Sequence, residues 1–320
     1  MATNFRPLTS DTSRLFGDKP LISVIVPSYN QGAFIRETLD SILQQDYRPM
    51  EVLIIDGAST DGTLDVLHQY DSVPEVTWIS EPDSGQIEAV NKGFAMARGE
   101  ICAIQSSDDF YLPGVIKRGI QELLNNPALG LVFGDMIKID VGGNEIMKEV
   151  LMPFSMENIL SCKTWIPQCS CFFRLSLAKE SGGWRESVPY AADTDLWMRI
   201  LLKSSARKID VFMAKRRVHP EQRDVHGDRI IRDYTQMIKD LFEIFDAPSH
   251  LRPAAEAGIL MVKNRYNYGE EEKVKIQRLR KAIQLYPPLK NHIRFPSRVP
   301  GIDYARAFIR RMRDKVLGAD

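Results

Sequence analysis

Cysteine is scarce in this chain: there are four in 320 residues, without framework spacing. That excludes a disulfide scaffold and fits a reducing compartment, so the expected location is the cytoplasm. Long apolar runs are missing as well. None approaches the ~18 residues that span a bilayer, and candidates such as Leu21–Val26 have only strand length. Met1–Lys19 lacks the apolar core that a signal peptide carries, so it is expected to be a polar lead-in. Net charge is zero, from 42 basic and 42 acidic residues, but it is unevenly spread. Residues 273–320 hold 13 Lys and Arg against 3 Asp and Glu, which leaves 29 basic against 39 acidic in the rest. An acidic body argues against nucleic acid as a partner. What is present is ordinary globular material, 44% hydrophobic and 26% charged. At ~150 residues per domain the length suggests about two domains.

From residue 20 the pattern repeats strand, loop and helix. Leu21–Val26 is a continuous apolar run, the signature of a strand buried on both faces, and Val52–Ile55, Val76–Ile79 and Ile101–Gln105 read as three further strands. Helical spacing fills Phe34–Gln44, Leu64–Gln69 and Gln86–Ala97 between them. This alternation predicts an α/β fold with a mostly parallel central sheet flanked by helices. Beyond it, Leu131–Gly134 and Met136–Ile139 read as two strands, and Cys171–Arg174 and Ile209–Met213 as two more. Asp195–Leu202 reads as a helix, and the chain is mostly helical from Arg229, with a break at Tyr286-Pro287-Pro288. The expected organisation is a lead-in (1–19), a catalytic domain (20–228) and a helical, basic extension (229–320).

Ligands of open parallel sheets bind at the C-terminal ends of the strands. Two such ends carry acids here: Asp56 after the second strand, and Asp108-Asp109 after the fourth. Either could be an ordinary Asp-rich turn. Two at matching ends of one sheet point to a site. No G-x-G-x-x-G follows the first strand, and there is no P-loop motif. Phosphates bound here would need another counter-charge. A divalent cation at Asp109, Mn²⁺ or Mg²⁺, supplies it with few protein ligands. Cys169-Ser170-Cys171 lacks the spacing of a zinc site and reads as buried small residues. His68, His226, His250 and His292 show no partner in the sequence.

An ordered set of motifs resembles the family 2 inverting glycosyltransferases of GT-A fold, over about residues 20–222. Ile25-Val26-Pro27-Ser28-Tyr29-Asn30 comes first, then Ile55-Asp56-Gly57-Ala58-Ser59-Thr60-Asp61-Gly62-Thr63. Glu81-Pro82-Asp83-Ser84-Gly85-Gln86 with Asn91-Lys92-Gly93 follows, then Ser107-Asp108-Asp109. Ile166-Pro167-Gln168, Gly182-Gly183-Trp184, Asp193 to Arg199 and Arg217-Val218-His219 complete it. The resemblance implies that Pro27, Tyr29 and Asn30 line a nucleotide site and that Asp56 faces the base. It implies Asp83, Gln86 and Lys92 near the ribose or pyrophosphate, and Asp108 toward the ribose or donor sugar. Asp109 would hold the metal, His219 would reach the pyrophosphate or metal, Gln168 would sit near the site floor, and Asp193 would be the catalytic base. Gly57 departs from the family, which often has a second Asp there, so the base is left open. Ala192 stands where many members carry Glu.

The implied reaction moves a sugar from a nucleotide-sugar donor to the hydroxyl of a glycan or lipid-linked saccharide, with inversion. A carboxylate takes the hydroxyl proton as it attacks, and a metal offsets the charge of the departing diphosphate. Without the resemblance, Asp193 and Asp195 would both read as acids at a helix start. Two rival readings remain. A sugar nucleotidyltransferase would need a Gly-rich basic loop after the first strand, where Pro27-Ser28-Tyr29-Asn30 stands. A non-catalytic nucleotide-sugar or glycan-binding module would not need Asp108, Asp109 and Asp193 together. In the tail, Arg306, Arg310, Arg311, Arg313 and Lys315 alternate with Phe308, Ile309, Met312 and Val316. Such a helix either packs on the domain or lies as a peripheral contact on an anionic membrane.

Overall fold

The structure is a computed structural model that describes residues 2–3, 19–219, 226–267 and 269–292. Its centre is four parallel strands: β2 (Ile22–Ser28), β3 (Met50–Asp56), β4 (Val76–Ser80) and β5 (Ile101–Ile104), in the order β4-β3-β2-β5. Ala2–Thr3 adds an antiparallel β1 beside β4. Every residue of β2, β3 and β5 is buried, which explains the apolar runs in them. On one face Val24, Val26, Val52, Ile54 and Trp78 pack with Ile35, Leu39 and Ile42 of α1 (Ile35–Leu43). On the other face lies α3 (Gln86–Met96), which follows the short α2 (Thr63–Leu67). The approach of α3 is close: a Cβ at Gly93 would lie 2.4 Å from Ile25. Only glycine fits there without moving the sheet.

The other half of the sheet is mixed. β9 (Cys171–Arg174) runs antiparallel between β5 and β7 (Leu129–Ile139). β7 runs parallel to β10 (Ser205–Arg217), whose end pairs with β6 (Phe110–Tyr111), and β8 (Glu145–Glu149) folds back on β7. The two strands read from the sequence around Gly134 are therefore one strand of 11 residues. Asp135 does not interrupt it, because its carboxylate accepts from Lys208 Nζ at 2.9 Å and from Leu151 N at 2.8 Å. β10 absorbs the irregularity through register shifts opposite Asp135. Three helices were not foreseen: α4 (Val115–Asn125), Met156–Leu160 and Leu175–Glu180. α4 buries Val115, Ile116, Ile120 and Leu123 as a single stripe.

After β8 come α5 (Met156–Leu160), α6 (Leu175–Glu180) and α7 (Ala192–Leu201). The chain divides into two compact units: the segment up to Ser155 with Trp165–Arg217, and Met156–Thr164 with the helices after Val218. The second unit contains α8 (Gly227–Glu243), α9 (Arg252–Tyr266) and α10 (Glu272–Leu285), with Ala257, Ala282 and Leu289 packed together. α10 ends at Leu285, before the Pro-Pro break. The basic tail helix proposed around Arg306–Val316 lies outside the described residues. Among the described residues, no helix is long and apolar enough to cross a membrane.

Candidate functional site

The loops after β2, β3 and β4 are clipped to one another. Ser28, Asp56 and Ser80 stand abreast at the ends of their strands. Asp56 is fully buried. Its Oδ2 accepts from Ser80 Oγ at 2.7 Å and from Ser59 N at 2.9 Å, and its Oδ1 accepts from Ser59 Oγ. The carboxylate thus holds a turn in which Ala58 takes a left-handed φ of 60°. Asn30, also left-handed at 52°, docks on the same turn. Asn30 N donates to Ser59 Oγ at 2.7 Å, and its Oδ1 accepts from Thr60 N at 2.9 Å. Gln31 N and Gly32 N donate to Thr63 Oγ1 and Asp61 Oδ2. Pro27 is buried in β2, whereas Tyr29 projects with 61% of its surface exposed.

The loop after β4 carries the next group. Asp83 is half-buried, and its Oδ1 accepts from Gly85 N at 2.9 Å. Burial raises the Asp83 pKa, as do the charges of Glu88 and Asp56. Gln86 is the exposed first residue of α3. Lys92, one and a half turns on, is paired with Glu81, and Glu88 lies 3.8 Å away.

Asp109 lies at the end of the loop after β5 and is nearly buried, with Asp108 half-buried beside it. Its carbonyl accepts from Thr38 Oγ1 at 2.8 Å, and its Oδ1 accepts from Arg217 N at 2.8 Å. Burial pushes the Asp109 carboxyl well above the ordinary range, and the Asp108 charge adds to this; Arg216 and Arg217 offset it only in part. Arg217 stands in the Arg217-Val218-His219 motif, but sequence reasoning assigned it no role of its own. Its buried side chain donates to the carbonyls of Asp108 and Val141, pairs with Glu37 and stacks 4.7 Å over Phe34. It ties the end of β10 to the acidic loop. The only hint in the sequence was its place two residues before His219.

Asp193 is the second residue of α7 and is nearly buried; its Oδ1 accepts from Thr194 N at 2.7 Å. Gln168 Nε2 donates to Ser106 Oγ at 3.3 Å, in the loop that leads to Asp109. Burial and then the Asp109 charge raise the Cys169 thiol, while burial and then the Asp193 charge raise the Cys171 thiol. β9, which starts at Cys171, pairs with β5, and its Phe173 ring lies 4.9 Å from that of Trp197 on α7. Asp195 has a different environment: it is buried in ion pairs with Arg199 and Arg185. Arg199 Nη2 also donates to Gly183 O at 2.6 Å, and Asn91 brackets Trp184 through both backbone groups at 2.9 Å. The Gly182-Gly183-Trp184 turn is fixed from both sides.

His219 belongs to the second unit, two residues beyond β10. No group of three or more His, Cys, Asp or Glu side chains suited to a metal occurs among the described residues. The donor chemistry at Asp108-Asp109 still fits a hard divalent cation, because Mg²⁺ and Mn²⁺ bind through one or two carboxylates when phosphate oxygens complete the shell. A buried carboxylate short of positive charge is what such an ion would neutralise.

Acids thus stand at strand ends of a half-parallel sheet, and a further Asp stands at the start of α7. The family description Glycosyl transferase family 2 matches residues 23–179. An uncharacterized glycosyltransferase of Mycobacterium tuberculosis is 30% identical over 185 residues, covering 57% of this chain and 70% of that one. The Escherichia coli chondroitin synthase is 29% identical over 211 residues, but the match spans 64% of this chain and only 30% of the synthase. Two solved structures share the fold. S. aureus TarS 1-349 in complex with UDP-GlcNAc has a TM-score of 0.64 at 19% identity, covering 93% of this chain and 92% of that one. The Pyrobaculum calidifontis mannosyltransferase PcManGT in complex with GDP-Man and Mn²⁺ has 0.61 at 22%, covering 93% and 83%. The chain belongs to glycosyl transferase family 2, with a GT-A fold.

Proposed function

We propose that this protein transfers a sugar from a nucleoside-diphosphate sugar to a hydroxyl of a glycan or lipid-linked saccharide, with inversion at the anomeric carbon. The observation that carries this is the placement of two nearly buried acids on either side of β9: Asp109 follows β5, which pairs with β9, and Asp193 stands at the start of α7, whose Trp197 packs on Phe173 of β9. A donor held at Asp109 would present its sugar toward Asp193. Pro27, Tyr29 and Asn30 line the nucleotide, over the turn that Asp56 holds. Asp83, Gln86 and Lys92 serve the nucleotide from the loop and helix after β4, Asp108 lies toward the ribose or donor sugar, and Gln168 lies near the site floor. Asp109 would hold a divalent cation, Mn²⁺ or Mg²⁺, which when bound offsets charge on the diphosphate.

Asp193 acts as the base. It takes the acceptor hydroxyl proton as that oxygen forms its bond to the anomeric carbon. The bond from that carbon to the phosphate oxygen breaks, and the nucleoside diphosphate leaves with the electron pair. A single displacement on one face inverts the centre. The neighbours support this reading by what they bind, a UDP-sugar in one and a GDP-sugar with Mn²⁺ in the other. The chondroitin synthase supports a glycan acceptor. A cytoplasmic site of action, with the basic tail touching the membrane surface, would suit a lipid-linked acceptor. A thermal-shift screen of UDP-, GDP- and dTDP-sugars with Mn²⁺, followed by assay of diphosphate release, tests the proposal. At least one donor should raise Tm and be hydrolysed slowly without acceptor. No shift with any donor would refute it.

A further inference from the structure

Three features at the end of β3 do not fit a simple division in which Asp56 meets the base and Asp83 the ribose or pyrophosphate. First, the Asp56 carboxylate is already engaged. It is fully buried and takes three donors from Ser59 and Ser80. A base N–H arriving there would have to break the turn that shapes the loop. Second, Gly57 has no side chain, and another residue fills that space. A Cβ built on Gly57 would lie 3.0 Å from Asp83 Oδ1 and 3.1 Å from Asp83 Oδ2. The Asp83 carboxylate therefore rests on the Gly57 α-carbon, at the carboxyl end of the central strand pair. Third, that carboxylate is held in place but not saturated. Oδ1 is anchored by Gly85 N at 2.9 Å, made possible by the left-handed φ of 119° at Gly85. Among the described residues, no hydrogen bond is made to Oδ2.

The surrounding charge indicates which part of a nucleotide belongs there. Asp56 and Glu88 both act on Asp83 with like charge, and Lys92, a cation that acts on it, is paired with Glu81. A diphosphate would be repelled, whereas a neutral N–H donor is what a half-buried, anchored carboxylate accepts. We propose that Asp83, seated in the space that Gly57 leaves open, reads the base of the donor and selects one that presents a ring N–H: uracil, thymine or guanine. Cytosine and adenine present a lone pair at that ring position and would face the carboxylate with repulsion. This rests on the nucleotide-sugar reading above and adds the class of base and the residue that recognises it. It also gives Gly57 a function: any side chain there would displace the reader.

Calorimetry of the full chain with Mn²⁺ tests this, using UDP, dTDP, GDP, CDP and ADP, with inorganic pyrophosphate as a ligand that has no base. Wild-type protein should bind at least one of the first three more tightly than CDP or ADP. Asp83→Ala should weaken that preferred diphosphate by roughly 10- to 100-fold, the loss typical of a hydrogen bond to a charged group. Pyrophosphate binding should stay within about twofold. Asp83→Asn, whose amide can donate, should improve CDP relative to the preferred nucleotide. Gly57→Ala, which alters no charge, should reproduce the loss, and it decides the matter if Asp83→Ala fails to fold. The inference is overturned if wild type prefers CDP or ADP, if Asp83→Ala leaves the preferred nucleotide unchanged, or if pyrophosphate weakens equally. Those results leave the glycosyltransferase reading standing. Wild-type protein that binds none of the five nucleotides would refute both.

Discussion

The two halves of the sheet reach the site by different routes. In the parallel half, each strand delivers its own residues directly to its C-terminal end, and neighbouring loops hold them. Asp56 is fixed by Ser59 and Ser80, Asn30 by Ser59 and Thr60. At the seam with the mixed half, beyond the end of β5, the acid is placed by distant parts of the chain. Asp109 is held by the end of β10, 108 residues later, and Arg217 reaches partners up to 180 residues away. The first half is an assembly of local turns; the second is a knot of long-range contacts around buried charge. Damage should therefore stay local in the first half and spread in the second.

The largest effect expected separates two acids of one helix. Asp193→Asn should lower transfer by about 10²- to 10⁴-fold, the range for loss of a general base, with little change in Tm. Asp195→Asn should do the reverse and cost about 3–5 kcal/mol of stability by urea unfolding, because Arg199 and Arg185 lose a buried partner. If the two variants had equal effects on rate and stability, the distinction drawn between them would fail. Next comes Arg217→Met, which leaves the Asp108 and Val141 carbonyls and Glu37 unpaired. It should cost about 2–4 kcal/mol by the same measurement and also weaken Mn²⁺-dependent nucleotide binding.

A smaller effect has the opposite sign. Asp109 has a raised carboxyl pKa, so over the window from the ordinary carboxylate range up to its folded value the native state holds the proton more tightly than the unfolded chain. Its burial then favours folding at low pH, and that contribution is lost as pH rises through the folded pKa. Metal-free Asp109→Asn should accordingly melt higher than wild type at neutral pH, by roughly 2–4 °C if the relief is ~1 kcal/mol. The difference should shrink as the buffer is acidified. A lower Tm at neutral pH would contradict the view that this carboxylate awaits a cation. The smallest effect belongs to the parallel half: Ser80→Ala removes one donor to Asp56 and should cost about 1 kcal/mol in urea, with Mn²⁺ binding intact.

The same contrast explains what could be read from the sequence. The parallel strands were legible because burial on both faces writes unbroken apolar runs. The strand-end acids were legible because each lies next to its strand in sequence. β7 was misread as two strands because Asp135 looks like a break until Lys208 and Leu151 are seen to satisfy it. α4 passed unnoticed although its buried stripe, Val115, Ile116, Ile120 and Leu123, is regular. Arg217 and the seat of Asp83 on Gly57 were beyond reach, since both are contacts between residues that no local pattern links.

The proposed division of labour gives the diphosphate, through a cation, to Asp109 and the acceptor proton to Asp193. Calorimetry of a nucleoside diphosphate with Mn²⁺ against Asp109→Ala and Asp193→Ala tests it most directly. Both variants should lose transfer, but only Asp109→Ala should lose Mn²⁺-dependent binding. Unchanged binding in Asp109→Ala, or equal loss in Asp193→Ala, would contradict it.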